Sequence, residues 1–119
     1  MNQSGLWLEK AEDDLEAARY MVEGEKFSQA AFLFQQAAEK ALKAVLVEEG
    51  EGLIQSHDCF LLAKKGDAPE HVRDAANALT PYYSRTRYPD ANLVEIEKSE
   101  IEKVQDSAEE VIEWSQKQL

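Results

Sequence analysis

The stretch that most limits what this chain can fold into is Ser28 to Val47, SQAAFLFQQAAEKALKAVLV. At about 100° per residue, Phe27, Ala30, Ala31, Phe34, Ala37, Ala38, Ala41 and Val45 share one helical face. Leu33, Leu42, Ala44 and Leu46 widen that face beyond half the circumference. A helix this apolar has to be covered on several sides, so it belongs at the centre of an all-helical domain. Its alanines favour helix and let neighbouring backbones approach closely. One stripe is polar: Gln29, Gln36, Glu39, Lys40 and Lys43. Glu39 and Lys43 stand in the order that favours an i,i+4 ion pair. Phe32 and Val47 interrupt the stripe. They either touch another part of the same chain or meet a second subunit.

The flanking segments are helical too. From about Ser4 to Val22, Leu8, Ala11, Leu15, Ala18 and Val22 recur at helical spacing, with Trp7 beside them. Asp14 sits at the edge of this face, as a boundary residue or as the partner of a cation on another helix. Gly24 is the expected stop, and Ser28 the expected N-cap of the central helix. Ser56 is the expected cap of a short third helix, HDCFLLAKK, which Gly66 ends. His57 at its entrance reads as a capping or packing histidine, since no metal-ligand spacing surrounds it. Asp67 and Glu70 around Pro69 suggest a capping box for a fourth helix. Val72, Ala75, Ala76, Leu79 and Tyr83 would carry its buried face, and Pro81 should kink or end it near Thr80. Ser99 to Glu102 suggests another capping box, opening a last helix that buries Ile101, Val104, Ala108, Val111, Ile112 and Trp114. Short connections between four long helices predict an all-α, antiparallel four-helix up-and-down bundle with an additional short helix.

The 119 residues fit one domain, residues 1–119. A chain of that length buries roughly 65% of its unfolded surface and needs no disulfide or metal to fold. One cysteine, Cys59, excludes an intrachain disulfide and suits a cytoplasmic location. No apolar run approaches the roughly 20 residues of a membrane span, and the N-terminus lacks a secretory pattern. With 13 Lys and Arg against 24 Asp and Glu, the net charge is −11, which argues against broad nucleic-acid binding.

Few chemistries remain. The five glycines form neither a P-loop nor a dinucleotide fingerprint. No serine stands in a nucleophile turn, and no histidine follows a glutamate at di-iron spacing. No cofactor or catalytic residue is indicated. The segment Tyr82-Tyr83-Ser84-Arg85-Thr86-Arg87-Tyr88-Pro89-Asp90 gathers three of the four tyrosines and two of the four arginines, and Pro89 holds Tyr88 extended. Arg85, Arg87 and Tyr88, joined by Lys40 and Lys43, form a candidate site where arginine forks would hold a phosphate and a tyrosine would stack on a base, as in a mononucleotide. The alternative is structural, with these arginines paired to acids such as Asp14 or Glu39.

Four pieces in order carry a family resemblance: Trp7 with AEDDLEAA; FLFQQAAEKALKAVL from Phe32 to Leu46; Ser56-His57-Asp58; and LTPYYSRTRYPD from Leu79 to Asp90. The chain resembles a small prokaryotic HEPN domain protein over nearly its whole length. The resemblance implies a four-helix bundle with an added short helix, assembled as a two-fold homodimer. Many HEPN proteins resemble metal-independent ribonucleases that use an arginine followed, after four to six residues, by a histidine. Here Gly50, Glu51 and Gly52 precede His57 at those offsets, and Lys64, Lys65 and Gly66 precede His71. No histidine follows Arg85 or Arg87, so the catalytic pair does not carry over. Other small HEPN proteins are similar to partners of minimal nucleotidyltransferases in toxin–antitoxin-like pairs, and some are linked to nucleotide binding. The resemblance therefore implies a non-catalytic interaction or nucleotide-binding module, with a ribonuclease or a dimerising scaffold as alternatives.

Overall fold

In a computed structural model that describes residues 2–85 and 95–119, the chain forms helices throughout. They are α1 (Gln3–Glu23), α2 (Phe27–Glu48), α3 (Cys59–Lys65), α4 (Glu70–Leu79), α5 (Tyr82–Arg85) and α6 (Lys98–Gln118). The four longest helices α1, α2, α4 and α6 make the bundle, and two short ones, α3 and α5, are added to it. No strand occurs among the described residues.

The organising helix is α2. At 22 residues it runs about 33 Å, most of the molecule's 40 Å long axis. Thirteen of its residues are buried, including Phe34, Leu42, Leu46 and every alanine. It packs against every other helix of the fold, α1 and α6 most extensively. The small side chains allow this crowding, because a leucine at each alanine position would hold the partners away.

The other faces follow the sequence pattern. α1 buries Ala11, Leu15 and Ala18, α4 buries Val72, Ala75, Ala76 and Leu79, and α6 buries Ile101, Val104, Ala108, Val111 and Ile112. Leu8, Val22 and Trp114 are only half-buried at the margins. Pro81 ends α4, whose C-cap is Thr80, and the chain restarts as the single turn α5. That restart breaks the helical register. Tyr82 becomes the buried tyrosine, and Tyr83, expected on α4's buried face, is half-buried instead.

The helix starts differ from expectation by a residue or more. α2 begins at Phe27 with Lys26 at the N-cap, because the chain reverses tightly through Gly24 and Glu25, the latter at φ 59°. Ser28 therefore lies in the first turn. Asp58, not Ser56, caps α3 and accepts from the Leu61 N–H at 3.1 Å, while Ser56 Oγ accepts from the Asp58 N–H. Pro69 and Glu97 hold the N-cap positions of α4 and α6, neither with a side-chain cap bond, so the two expected capping boxes do not form. Asp67 instead takes a left-handed φ of 55° in the turn after α3. Beyond α2, Gly50 and Gly52 hold φ of 82° and 77°, a region where side chains strain the backbone.

Ala38 has no exposed surface. Ala38→Phe should therefore overpack the centre of the bundle and lower stability by about 1–3 kcal/mol in denaturant titration. Unchanged stability would mean that this face of α2 has room to spare.

Candidate functional site

Polar side chains on an apolar helix must find partners, because an unpaired buried charge costs several kcal/mol. On α2 the problem falls on Gln35, Glu39 and Lys43, which are 0%, 4% and 7% exposed. Their solution is one shared network. Lys43 Nζ donates to Glu39 Oε2 at 3.0 Å, the i,i+4 pair expected from the sequence. Gln35 Nε2 donates to Glu39 Oε1 at 3.1 Å and to the His57 carbonyl at 3.2 Å. Gln36 Nε2 donates to Gln35 Oε1 at 2.8 Å. The Lys43 ammonium also lies 5.8 Å from the Trp7 ring centre, a cation–π contact that ties α1 into the network.

His57 completes it from the segment before α3. Its Nδ1 lies 3.0 Å from Glu39 Oε1. A carboxylate only accepts, so Nδ1 carries the proton and Nε2 is left for another partner. The imidazole stacks on Tyr83, with ring centres 3.9 Å apart and planes 10° from parallel. Phe32 contacts the same tyrosine, with ring centres 6.3 Å apart and planes tilted by 34°. Of the two roles open to Phe32 from the sequence, contact within the chain is therefore present. Cys59 lies beneath, fully buried. Burial, reinforced by the charge of Glu39, pushes its thiol up to about 12, so it stays protonated and unreactive.

The candidate cations fall into separate ion pairs. Lys40 meets Asp14 of α1 at 2.5 Å, so Asp14 is a partner and not merely a boundary residue. Lys43 meets Glu39 within α2, and Arg85 meets Glu100 of α6 at 2.6 Å. Arg87 and Tyr88 lie outside the described residues, as does any pairing of Arg87. Tyr82 donates its hydroxyl to Glu100 as well, so Arg85 and Tyr82 together fasten α5 to α6. Burial pushes the Glu100 carboxyl up, but the Tyr82 and Arg85 hydrogen bonds and the guanidinium charge outweigh it and hold the group below its ordinary range. The hydrogen bond to Glu100 moves Arg85 the other way, upward.

The second histidine, His71, is exposed and pairs with Glu110 at 2.7 Å across α4 and α6. Among the described residues, no group of three His, Cys, Asp or Glu side chains is arranged to hold a metal ion. No described helix is long and apolar enough to cross a membrane. From the sequence Glu39 and Lys43 are an expected pair, but Gln35, His57 and Tyr83 are not expected to join them, and Lys40 and Arg85 pair elsewhere. The signal available was Gln35 itself, an amide on the apolar side of α2.

Comparison with known proteins gives a consistent picture. The HEPN domain family matches residues 4–119. The crystal structure of TT1696 from Thermus thermophilus is 31% identical and superposes with a TM-score of 0.91, covering all of both chains. ST0689, an archaeal HEPN homologue, is 29% identical with a TM-score of 0.82, covering 99% of this chain and 98% of that one. An HEPN domain protein from Thermotoga maritima is 30% identical with a TM-score of 0.70 over 93% of this chain and 94% of its own. Among curated proteins no match is found.

Two outcomes follow from this geometry. Lys43→Ala leaves Glu39 buried without its cation and should cost about 3–5 kcal/mol in chemical denaturation. The double change Glu39→Leu with Lys43→Met should cost much less, since it removes both charges; equal losses would mean the pair is not coupled. The second outcome concerns alkaline pH. Burial, then the hydrogen bond to Glu100, raise the Tyr82 phenol from 10.0 to about 12. The folded chain thus keeps a proton that the unfolded chain releases. This contribution is whole below pH 10, falls away between pH 10 and 12, and should be absent from the pH dependence of Tyr82→Phe.

Proposed function

The chain belongs to the HEPN family, and on that basis we propose that it is a non-catalytic HEPN-type interaction module, acting in the cytoplasm as the partner of a minimal nucleotidyltransferase in a toxin–antitoxin-like pair. The observation that carries this reading is the neutralisation of the candidate cations. Lys40, Lys43 and Arg85 already answer Asp14, Glu39 and Glu100. A phosphate would have to displace those carboxylates against a net charge of −11. A protein partner meets no such requirement, because it can dock by shape and by complementary charge. Partner docking is therefore the role we assign to the segment that holds Arg85, Arg87 and Tyr88, ahead of a mononucleotide.

The histidines support the non-catalytic half. Ribonuclease chemistry of the kind the resemblance implies needs a cation at the phosphate and a histidine beside it. His57 and His71 instead stand on Glu39 and Glu110, and neither follows an arginine at the required spacing. A two-fold homodimer is part of the proposal. It rests on the resemblance, on Val47 in the polar stripe of α2, and on Leu6 and Leu53, which are more than half exposed.

Purification from the native host is expected to bring down a minimal nucleotidyltransferase in stoichiometric amount, with the chain sedimenting as a dimer at micromolar concentration. Cleavage of RNA by the pure chain, abolished by His57→Ala or Arg85→Ala, would overturn the reading.

A further inference from the structure

α1 packs along α2 but touches α6 far less, and the seam between α1 and α6 stays open as a groove of about 350 Å³. The two helices line it with one pattern. α1 contributes Glu12, Leu15, Glu16 and Arg19, at i, i+3, i+4 and i+7. α6 contributes Glu109, Ile112, Glu113 and Gln116 at the same spacing. The helices run antiparallel here, so a bridge crosses each end of the groove. Arg19 Nη2 donates to Glu109 Oε2 at 2.6 Å, and Gln116 Nε2 donates to Glu12 Oε2 at 2.8 Å. Between the bridges lie Leu15 and Ile112, both buried, and Glu16 and Glu113, both exposed. Glu109 is also answered by Gln105. Glu16 and Glu113 have no hydrogen bond or ion pair among the described residues.

The charges select the occupant. Four carboxylates and one guanidinium line the groove, a larger acidic excess than in the chain as a whole, where acids outnumber bases 24 to 13. Two unanswered carboxylates in one groove repel each other, and a cation placed between them relieves that repulsion. Among the described residues no three acids stand close enough to hold a metal ion. The groove therefore suits a cation whose charges are spread along its length and whose body is apolar. Tyr20, one helical turn beyond Glu16, is 62% exposed. A tyrosine beside a carboxylate offers an arginine both an acceptor and a ring to lie on. A second copy of this chain is a poor occupant, since a two-fold contact through this face sets acid against acid. We propose that the α1–α6 groove is a docking site for a basic amphipathic helix of a protein partner. Its apolar side chains lie over Leu15 and Ile112, and its arginines or lysines meet Glu16 and Glu113. The site takes a charge opposite to that met by the segment holding Arg85, and it does not depend on the partner's being a nucleotidyltransferase.

The probe is a synthetic helical peptide of about 18 residues with a leucine stripe flanked by arginines, titrated into the full chain at about 0.15 M salt. Backbone amide signals of α1 around Glu16 and of α6 around Glu113 are expected to shift saturably. Glu16→Gln with Glu113→Gln should weaken binding about fivefold to thirtyfold in calorimetry. Glu51→Gln with Asp74→Asn removes the same charge from exposed positions outside the groove and should leave the affinity nearly unchanged. The glutamine pair relieves repulsion and should stay folded, which near-ultraviolet circular dichroism checks. A second arm needs no variant: the same peptide with glutamine in place of arginine should bind the parent chain at least about tenfold more weakly. The proposal fails if the arginine peptide does not bind, or binds while shifting only other helices. It fails if the control pair weakens binding as much as the groove pair, or if the glutamine peptide binds as tightly. Displacement of the peptide by spermine at equal concentration would make this a polyamine site and overturn it. Shifts of the same signals on dilution of the chain alone would make the groove an interface between copies and overturn it equally.

Discussion

A carboxylate and an ammonium buried side by side in α2 set the terms for much of this structure. Glu39 and Lys43 are one helical turn apart and almost fully covered. Removing two such charges from water is costly, and their mutual attraction repays it only when the remaining hydrogen-bonding capacity is met. Gln35 and His57 meet it at Glu39, and the Trp7 ring lies against the Lys43 ammonium, so three different parts of the chain converge on the pair. The pair thereby fixes the position of α1 and of the segment before α3 relative to α2. Apolar packing alone would tolerate several neighbouring registers; a buried network with defined partners tolerates fewer.

The same logic extends outward. Lys40 holds α1 through Asp14, Arg19 of α1 holds α6 through Glu109 at 2.6 Å, and Arg85 with Tyr82 holds α5 on α6 through Glu100. Each of these cations answers an acid on another helix. In a chain with nearly twice as many acids as bases, cations used in this way are not available to attract phosphates. An acidic, well-fastened bundle suits docking to a protein more than gripping a polyanion.

Helix existence was legible because it depends on local spacing. The faces of α1, α4 and α6 repeat at about 3.6 residues, and Pro81 marks the end of α4 regardless of what surrounds it. Cap positions were less legible. Ser28, Ser56 and Ser99 are sound caps by residue type, but a cap also requires the chain to enter the helix at that residue. The entry point depends on the preceding turn, as Glu25 shows with its left-handed φ. Tyr82 is buried in place of Tyr83 for a similar reason, since the chain restarts as α5 after Pro81.

By itself, the sequence determined an all-helical bundle around Ser28–Val47, the Glu39–Lys43 spacing and the absence of an arginine–histidine pair at ribonuclease spacing. These are properties of distances along the chain. Tertiary structure decided which acid each cation meets, that Glu39 and Lys43 are buried, and that His57 is locked between Glu39 and Tyr83. His57 lies 18 residues from Glu39, and Tyr83 is more distant still. No periodicity links such positions. Only the packing of α2 against the segment before α3 and against α5 brings them together, because the buried carboxylate needs donors that its own helix does not fully supply.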